Sequence, residues 1–279
     1  MSTRFTEPAK TSPSGFSAEA KKHLGQNFLH DTTVIAKIVQ ALDPKPGDVI
    51  VEIGPGQGAL TFPLLRRHGE LTAIEFDRDL HAPLQAAARE HGTLHLVQGD
   101  VLGVDFSALA AELAGTGGQI RLVGNLPYNL SSPILFHALD HAAAVRDMHF
   151  MLQKEVVERM AAGPGSKVYG RLSVMLQAYC TVTPLFIVPP GAFRPAPKVE
   201  SAVVRLVPRP AAEVEVGDRR DFANVVRAAF GQRRKTLRNA LHGVADSALM
   251  EAAGVRPDAR AEQVEVAAFV RLANLLGGG

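Results

Sequence analysis

From Asp48 onward the chain repeats one unit: a short apolar run rich in β-branched residues, a turn with Gly or Asp, then a stretch of helical periodicity. The runs DVIVEIG (48–54), ELTAIEF (70–76), LHLVQGD (94–100), IRLVGNL (120–126) and DMHFMLQ (147–153) read as strands. Helical segments fall near 59–68, 79–91 and 131–142. Alternation of this kind requires right-handed crossovers and a parallel sheet covered on both faces. Two later runs, TPLFIVP (183–189) and SAVVRLVP (201–208), are joined without a helix by PPGAFRPAPK (189–198). They are expected to be antiparallel neighbours, so a sheet of seven strands becomes mixed at one edge. RPAAEVEVGD (209–218) reads as a linker, and the pattern beyond it is helical to Leu276. The expected organisation is a polar arm over 1–17, an α/β domain over 18–209 and a small all-helical domain over 210–279.

Composition narrows the class. With 279 residues, 46% hydrophobic and 21% charged, the chain can bury a sizeable core and is neither disordered nor fibrous. No apolar run reaches the roughly 18 residues of a membrane span. The N-terminus, MSTRFTEPAKTSPSG, lacks the apolar core of a signal peptide, so a cytoplasmic protein with no membrane partner is expected. A single cysteine, Cys180, excludes a disulfide framework and any multi-cysteine zinc site; it is expected to lie buried and inert in an apolar helix. The ten histidines show no H-x-x-x-H or comparable ligand set, so no metal is expected.

The first strand runs into VIVEIGPGQGALT (49–61), which places Gly54, Gly56 and Gly58 at a strand-to-helix turn. Glycine accepts positive φ there and lets a ligand approach bare backbone. The spacing is G-x-G-x-G, not the G-x-G-x-x-G of dinucleotide sites, although a nicotinamide oxidoreductase and an ordinary glycine turn both remain as alternatives at this point. Glu52 precedes the glycines, Glu75 ends the second strand and Asp100 the third. Three successive strand ends with suitable chemistry resemble the S-adenosylmethionine-binding motif of class I methyltransferases. A cofactor without pyrophosphate needs a tight turn and carboxylates: Glu75 is placed to accept from ribose hydroxyls and Asp100 from an adenine amino group.

The fourth strand ends in GNLPYNLSSP (124–133), and its Asn-Leu-Pro-Tyr resembles the [D/N]-[P/L]-P-[Y/F] signature of exocyclic-amine methyltransferases. The chemistry accounts for the residue types. An adenine amino group is a poor nucleophile because its lone pair is delocalised into the ring. Two acceptors held against its N–H bonds, Asn125 Oδ1 and the Leu126 carbonyl, favour a pyramidal nitrogen. Pro127 stiffens the loop so that the carbonyl is aimed in advance, and Tyr128 can stack on the base. An extruded base needs apolar walls. Tyr128 is one candidate, and Phe193 is the other, because its Pro-clamped loop sits between Arg194 and Lys198. A lone Phe in a loop is more often a core anchor.

Taken in order, KKHLGQNFLHD (21–31), the glycine loop, NLPYNLSSPILF (125–136), QKEVVERM (153–160), GRLSVMLQAYC (170–180), PPGAFRPAPKVESAVVRLVP (189–208) and AFGQRRKTLRNAL (229–241) resemble the KsgA family of ribosomal small-subunit adenosine dimethyltransferases. The resemblance runs from about Ala20 to Leu276. It implies a Rossmann-like class I methyltransferase fold and S-adenosyl-L-methionine as cofactor. It also implies transfer of four methyl groups, two onto each of two adjacent adenosines near the 3′ end of 16S rRNA, with a role in small-subunit maturation. Asn27, Leu29, Gly54, Gly56, Glu75, Asp100, Val101 and Asn125 are then the expected cofactor contacts, with the segment around Asn27 closing over the site. The expected partner is 16S rRNA in the immature small subunit, met by a monomer. Erythromycin-resistance methyltransferases, which act on 23S rRNA, share the fold and the NLPY-type chemistry, but PPGAFRPAPKVES and RRKTLRN look more like KsgA. Where family members often carry LRNN, this chain has Asn239-Ala240, and its polar N-terminal arm is not a family feature.

Charge points the same way. Residues 219–241 carry seven Lys or Arg (Arg219, Arg220, Arg227, Arg233, Arg234, Lys235, Arg238) against one acid, Asp221, a local +6 within a chain of net +2. The rest of the chain is therefore net −4, and the near-neutral total hides one concentrated basic element. Phe222, Val226 and Phe230 recur at helical spacing toward a core, and Gly231 is expected to stop the helix before the basic cluster. Such a cluster beside a base-modifying site favours phosphate contact, which positions RNA without reading its sequence.

Overall fold

The structure, a computed structural model, describes residues 26–232 and 234–278. Its strands are β1 (Phe28–Leu29), β2 (Val49–Ile53), β3 (Glu70–Glu75), β4 (Thr93–Gln98), β5 (Ile120–Asn125), β6 (Val145–Gln153), β7 (Cys180–Val188), β8 (Phe193–Arg194) and β9 (Ser201–Pro208). Seven of them form one sheet in the order β4-β3-β2-β5-β6-β9-β7. The five from β4 to β6 run parallel, and β9 is antiparallel to both β6 and β7. The expected mixed edge is present, and the fold is that of an α/β class I methyltransferase. The chain lays down β2, β3 and β4 in one direction, then returns to place β5 on the other side of β2. This reversal opens a crevice at the carboxyl ends of β2 and β5, where ligands of such sheets bind.

Helices α1 (Thr32–Leu42), α2 (Thr61–His68), α3 (Arg78–Ala88), α4 (Phe106–Ala114), α5 (Ser131–Asp140), α6 (Lys154–Ala161) and α7 (Arg171–Gln177) connect the strands. Several begin at an aspartate. Asp31 accepts from the Thr33 and Val34 amides, and Asp105 from those of Ser107 and Ala108. Each satisfies amides that a helix start leaves without partners. Beyond β9 come α8 (Arg219–Gly231), α9 (Leu237–Ala240), α10 (Ser247–Ala252) and α11 (Val266–Gly277). As expected, α8 ends at Gly231, and Phe222 and Val226 are fully buried.

Two buried clusters hold the molecule together. One fills the face of the sheet carrying α1, α2 and α3. The other runs without interruption from Ile53, Leu122 and Phe150 through Val174 to Phe222 and Phe269 of the C-terminal helices. At the amino-terminal ends of β2, β5 and β6 lies a buried ionic knot. Arg121 donates to Asp147 through Nε and Nη2 (both 2.9 Å), to Asp48 (2.7 Å) and to the Leu42 carbonyl (2.7 Å). Cys180 corrects the sequence reading: it is the first residue of β7, not part of a helix. It is fully buried, and burial pushes its thiol up to about 12, so it stays protonated.

Candidate active site

At the carboxyl ends of β2 to β5 lies a cavity of about 330 Å³, within the size range of small-molecule sites. The glycine loop forms its floor. Gly54 and Gly56 have φ of +67° and +56°, and Gly54 faces open space where a Cβ would stand. Gly58 has φ +81°, and a Cβ there would come within 2.2 Å of the Phe62 ring, so both conformation and space require glycine.

Two carboxyl groups meet under this loop. Glu75 accepts from the Gly56 amide (3.1 Å) through one oxygen and from the Asp77 amide (2.8 Å) through the other. Burial nevertheless pushes its carboxyl above the usual range. Glu52, 1% exposed, accepts from the Thr61 hydroxyl at 2.7 Å. Burial and the neighbouring Glu75 raise it to about 8, against the opposing Thr61 bond, so it carries a proton at neutral pH. Asp100 accepts from the Leu102 amide with one oxygen and borders the cavity beside Val101.

The opposite wall is the Asn-Leu-Pro-Tyr loop. Leu126 is tied to β6 by its amide bond to the Met151 carbonyl (3.2 Å). Asn125 donates through Nδ2 to the Asn27 carbonyl (2.9 Å), and an amide held that way presents Oδ1 on its other arm. Tyr128 is half-buried, and its hydroxyl lies 2.8 Å from Ser201 Oγ.

A strip from Gln26 to Asp31 closes the remaining side. Phe28 and Leu29 pair with Arg194 and Phe193 as the antiparallel strands β1 and β8, and His30 and Asp31 both donate to the Ala192 carbonyl. The Phe28 ring stands where a Cβ on Gly56 would meet it at 3.2 Å. One short strip thus touches the glycine loop, the Asn-Leu-Pro-Tyr loop and the Pro-rich loop.

The structure therefore brings Asn27, Leu29, Gly54, Gly56, Glu75, Asp100, Val101, Asn125, Leu126, Pro127 and Tyr128 around one cavity. Phe193 is the exception and corrects the sequence reading. It is 2% exposed and belongs to the same buried cluster as Leu29, Val188 and Val203. Pairing with Leu29 turns its side chain inward, and strand alternation turns Arg194 outward. Its ring is core, not a wall for a base.

Sequence reasoning missed Phe76, which is 62% exposed and borders the cavity one residue after Glu75. An aromatic at an exposed strand end was its signal. A larger groove of about 490 Å³ between α1 and α2 holds neither the strand-end carboxylates nor the Asn-Leu-Pro-Tyr loop. In the basic segment, Arg220, Arg227, Arg234, Lys235 and Arg238 are exposed. Arg219 is engaged within the molecule, with Asp140 at 3.0 Å and its guanidinium 4.8 Å above the Tyr179 ring, while Arg233 lies outside the described residues.

The chemistry of this lining fits S-adenosylmethionine: carboxyl acceptors for ribose hydroxyls, an apolar surface for adenine, and acidic groups near a cationic ligand. Comparison with known proteins agrees. The profile of the ribosomal RNA adenine dimethylase family matches residues 17–277. Ribosomal RNA small subunit methyltransferase A of Xanthomonas campestris pv. campestris is 73% identical over 262 residues, 94% of this chain and 98% of that protein. The protein of the same name from Xanthomonas euvesicatoria pv. vesicatoria is 72% identical over the same shares. Among solved structures, a dimethyladenosine transferase from Plasmodium falciparum has a TM-score of 0.75 at 24% identity, covering 88% of this chain and 95% of that one. The 23S rRNA methyltransferase ErmE has a TM-score of 0.67 at 25% identity, covering 90% and 100%. The chain belongs to the ribosomal RNA adenine dimethylase family.

Proposed function

We propose that this enzyme uses S-adenosylmethionine to dimethylate the N6 amino groups of two adjacent adenosines near the 3′ end of 16S rRNA, during maturation of the small subunit. The observation that carries the reading is the shared cavity: the glycine loop with its strand-end carboxyls and the Asn-Leu-Pro-Tyr loop bound the same space. The 73% identity to a small-subunit methyltransferase supports 16S over 23S rRNA.

Gly54 and Gly56 would hold the cofactor against bare backbone, Glu75 its ribose, and Asp100 and Val101 its adenine, with Asn27 and Leu29 closing over it. When bound, the cofactor supplies a methyl group on an activated sulfonium. The protein's task is then to present the amine in line with it. Asn125 Oδ1 and the Leu126 carbonyl accept from the two amine N–H bonds, and Pro127 keeps that carbonyl aimed. Tyr128 holds the base plane. No strong base is needed, because the methylated ammonium is acidic enough to lose its proton to water. The exposed Arg220, Arg227, Arg234, Lys235 and Arg238 would meet RNA phosphates from the helical segment 210–279. A monomer working in the cytoplasm on the immature subunit completes the reading.

The test is mass mapping of methylated adenosines after incubating unmodified small subunits with the protein and cofactor. Two dimethylated adenosines near the 3′ end of 16S rRNA are expected, and marks confined to 23S rRNA would overturn the assignment. Asn125→Ala should lower kcat by about 100- to 1,000-fold, the usual effect of removing one preorganised polar group.

A further inference from the structure

We infer that Ser201 is a positioning residue for the target base, acting through the ring of Tyr128; this rests on the function proposed above. Tyr128 sits on a loop, half-buried on the cavity wall, and among the described residues its side chain is anchored by the Ser201 hydroxyl at 2.8 Å. The two ends of that bond differ in mobility. Ser201 opens β9, is fully buried, and is paired on one side with Gln153 of β6 and on the other with Val188 of β7. Its neighbour Glu200 is clipped to the start of α6 twice, by the Lys154 amide at 3.0 Å and the Lys154 ammonium at 2.8 Å. The bond therefore ties a loop ring to a corner of the sheet that is held by β6, β7 and the start of α6.

The phenol oxygen lies on the axis of the ring's second torsion, so a bond between it and a fixed hydroxyl pins where the far end of the ring stands, and with it the first torsion and the loop. The preference of a phenol O–H for the ring plane then biases the ring's own rotation, so the wall is set before the base arrives. Burial also raises the Tyr128 phenol above its ordinary range, so the hydroxyl stays protonated and able to donate. A fully buried hydroxyl is costly unless it is bonded, and here the bond goes to the ring at the site.

The two methyl transfers should not depend equally on this ring. In the first, the amine offers two N–H bonds, one each to Asn125 Oδ1 and the Leu126 carbonyl. The monomethylated amine retains one N–H, so half of that hold is gone and the ring carries more of the alignment. Loosening Tyr128 should slow the second transfer more than the first.

The experiment compares wild type, Ser201→Ala, Tyr128→Phe and the double variant on unmodified small subunits, following mono- and dimethyladenosine by mass spectrometry and cofactor affinity by calorimetry. Tyr128→Phe removes the bond from the loop end without touching the strand core. Each single variant should lose roughly 3- to 10-fold in kcat/KM for the subunit, the scale of ordering one side chain. Monomethyladenosine should accumulate, cofactor Kd should stay within about twofold, and the double variant should be no worse than the poorer single one. Multiplicative losses, or a Ser201→Ala enzyme with wild-type rate and product ratio, would overturn the inference while leaving the function standing. An inactive wild-type protein would overturn both.

Discussion

Glu52→Gln isolates the free energy of keeping an acid under the glycine loop. The ordinary value for this carboxyl is 4.5, and in the folded protein it is raised to about 8. Below pH 4.5 the proton is bound in both folded and unfolded chains, so the site contributes its full stability there. As pH rises toward 8 the unfolded chain loses the proton while the folded one keeps it, and stability falls by about 1.4 kcal/mol per pH unit. At pH 7 the accumulated loss is about 3 kcal/mol. Glutamine is neutral at every pH, has the same shape, and its Oε1 can accept the Thr61 hydroxyl bond as Glu52 does now. The variant should therefore be within about 1 kcal/mol of wild type at pH 5 and about 3 kcal/mol more stable at pH 7. For a chain of this size that raises Tm by about 5 °C at pH 7.

The difference between the two proteins must be measured, not the wild-type profile alone, because His149 acts oppositely in the same window. It is 1% exposed, and burial holds it down at about 4 from an ordinary 6.5, so its contribution is lost as pH falls from 6.5 toward 4. Subtraction removes the His149 contribution from both. Thermal and urea unfolding at pH 5, 6, 7 and 8 provide the data. A stability difference that stays constant across that range, or a variant less stable than wild type at pH 7, would refute the reasoning. Cofactor affinity should move the other way. A cationic ligand favours the ionised form, so wild-type affinity should rise with pH toward 8 while the glutamine variant binds more weakly and with little pH dependence.

Gly58→Ala forces φ +81° on an alanine and a Cβ to within 2.2 Å of Phe62, so a loss of at least about 2 kcal/mol in unfolding and weaker cofactor binding are expected. Arg121→Met removes the buried cation shared by Asp48 and Asp147 and leaves Arg146 and Arg205, both about half-exposed, as the remaining arginines beside them, at a cost of about 3 to 5 kcal/mol in urea unfolding. Burial opposes ionisation of Asp147, but its bonds to Arg121 hold the carboxyl below 3.8; that contribution is present above 3.8 and fades below it, so the variant should show a shallower acid limb. Replacing Arg234, Lys235 and Arg238 together by alanine should weaken binding uniformly across RNA sequences and flatten the salt dependence by about one unit per lost phosphate contact, as read by binding titrations from 50 to 200 mM salt.

The sheet was legible because strand and helix periodicities are local properties, and the units from Asp48 to Gln153 repeat them. The antiparallel edge followed from a connection with no helix in it. α1 precedes that repeat and did not stand out, although Asp31 is a helix cap visible in the sequence. Cys180 was misread because LSVMLQAYC continues a helical pattern past the point where the chain turns into β7. The glycines and strand-end acids were readable as a site because their backbone and charge requirements are intrinsic to the residues. Phe193 was not, since its burial depends on pairing with Leu29, a partner more than 160 residues away in sequence. The proton on Glu52 was equally hidden: it results from burial and from Glu75, neither of which a strand pattern records.

The apolar cluster that passes unbroken from Leu122 and Phe150 into Phe222 and Phe269 makes the protein a caliper. Close-packed interiors yield little, so the jaw at Asn125 and the jaw at the basic turn after α8 keep a set separation. On the function proposed above, folded RNA whose phosphates and target base match that gauge would be engaged at both points together. A strand with the same bases but the wrong shape would reach only one of them.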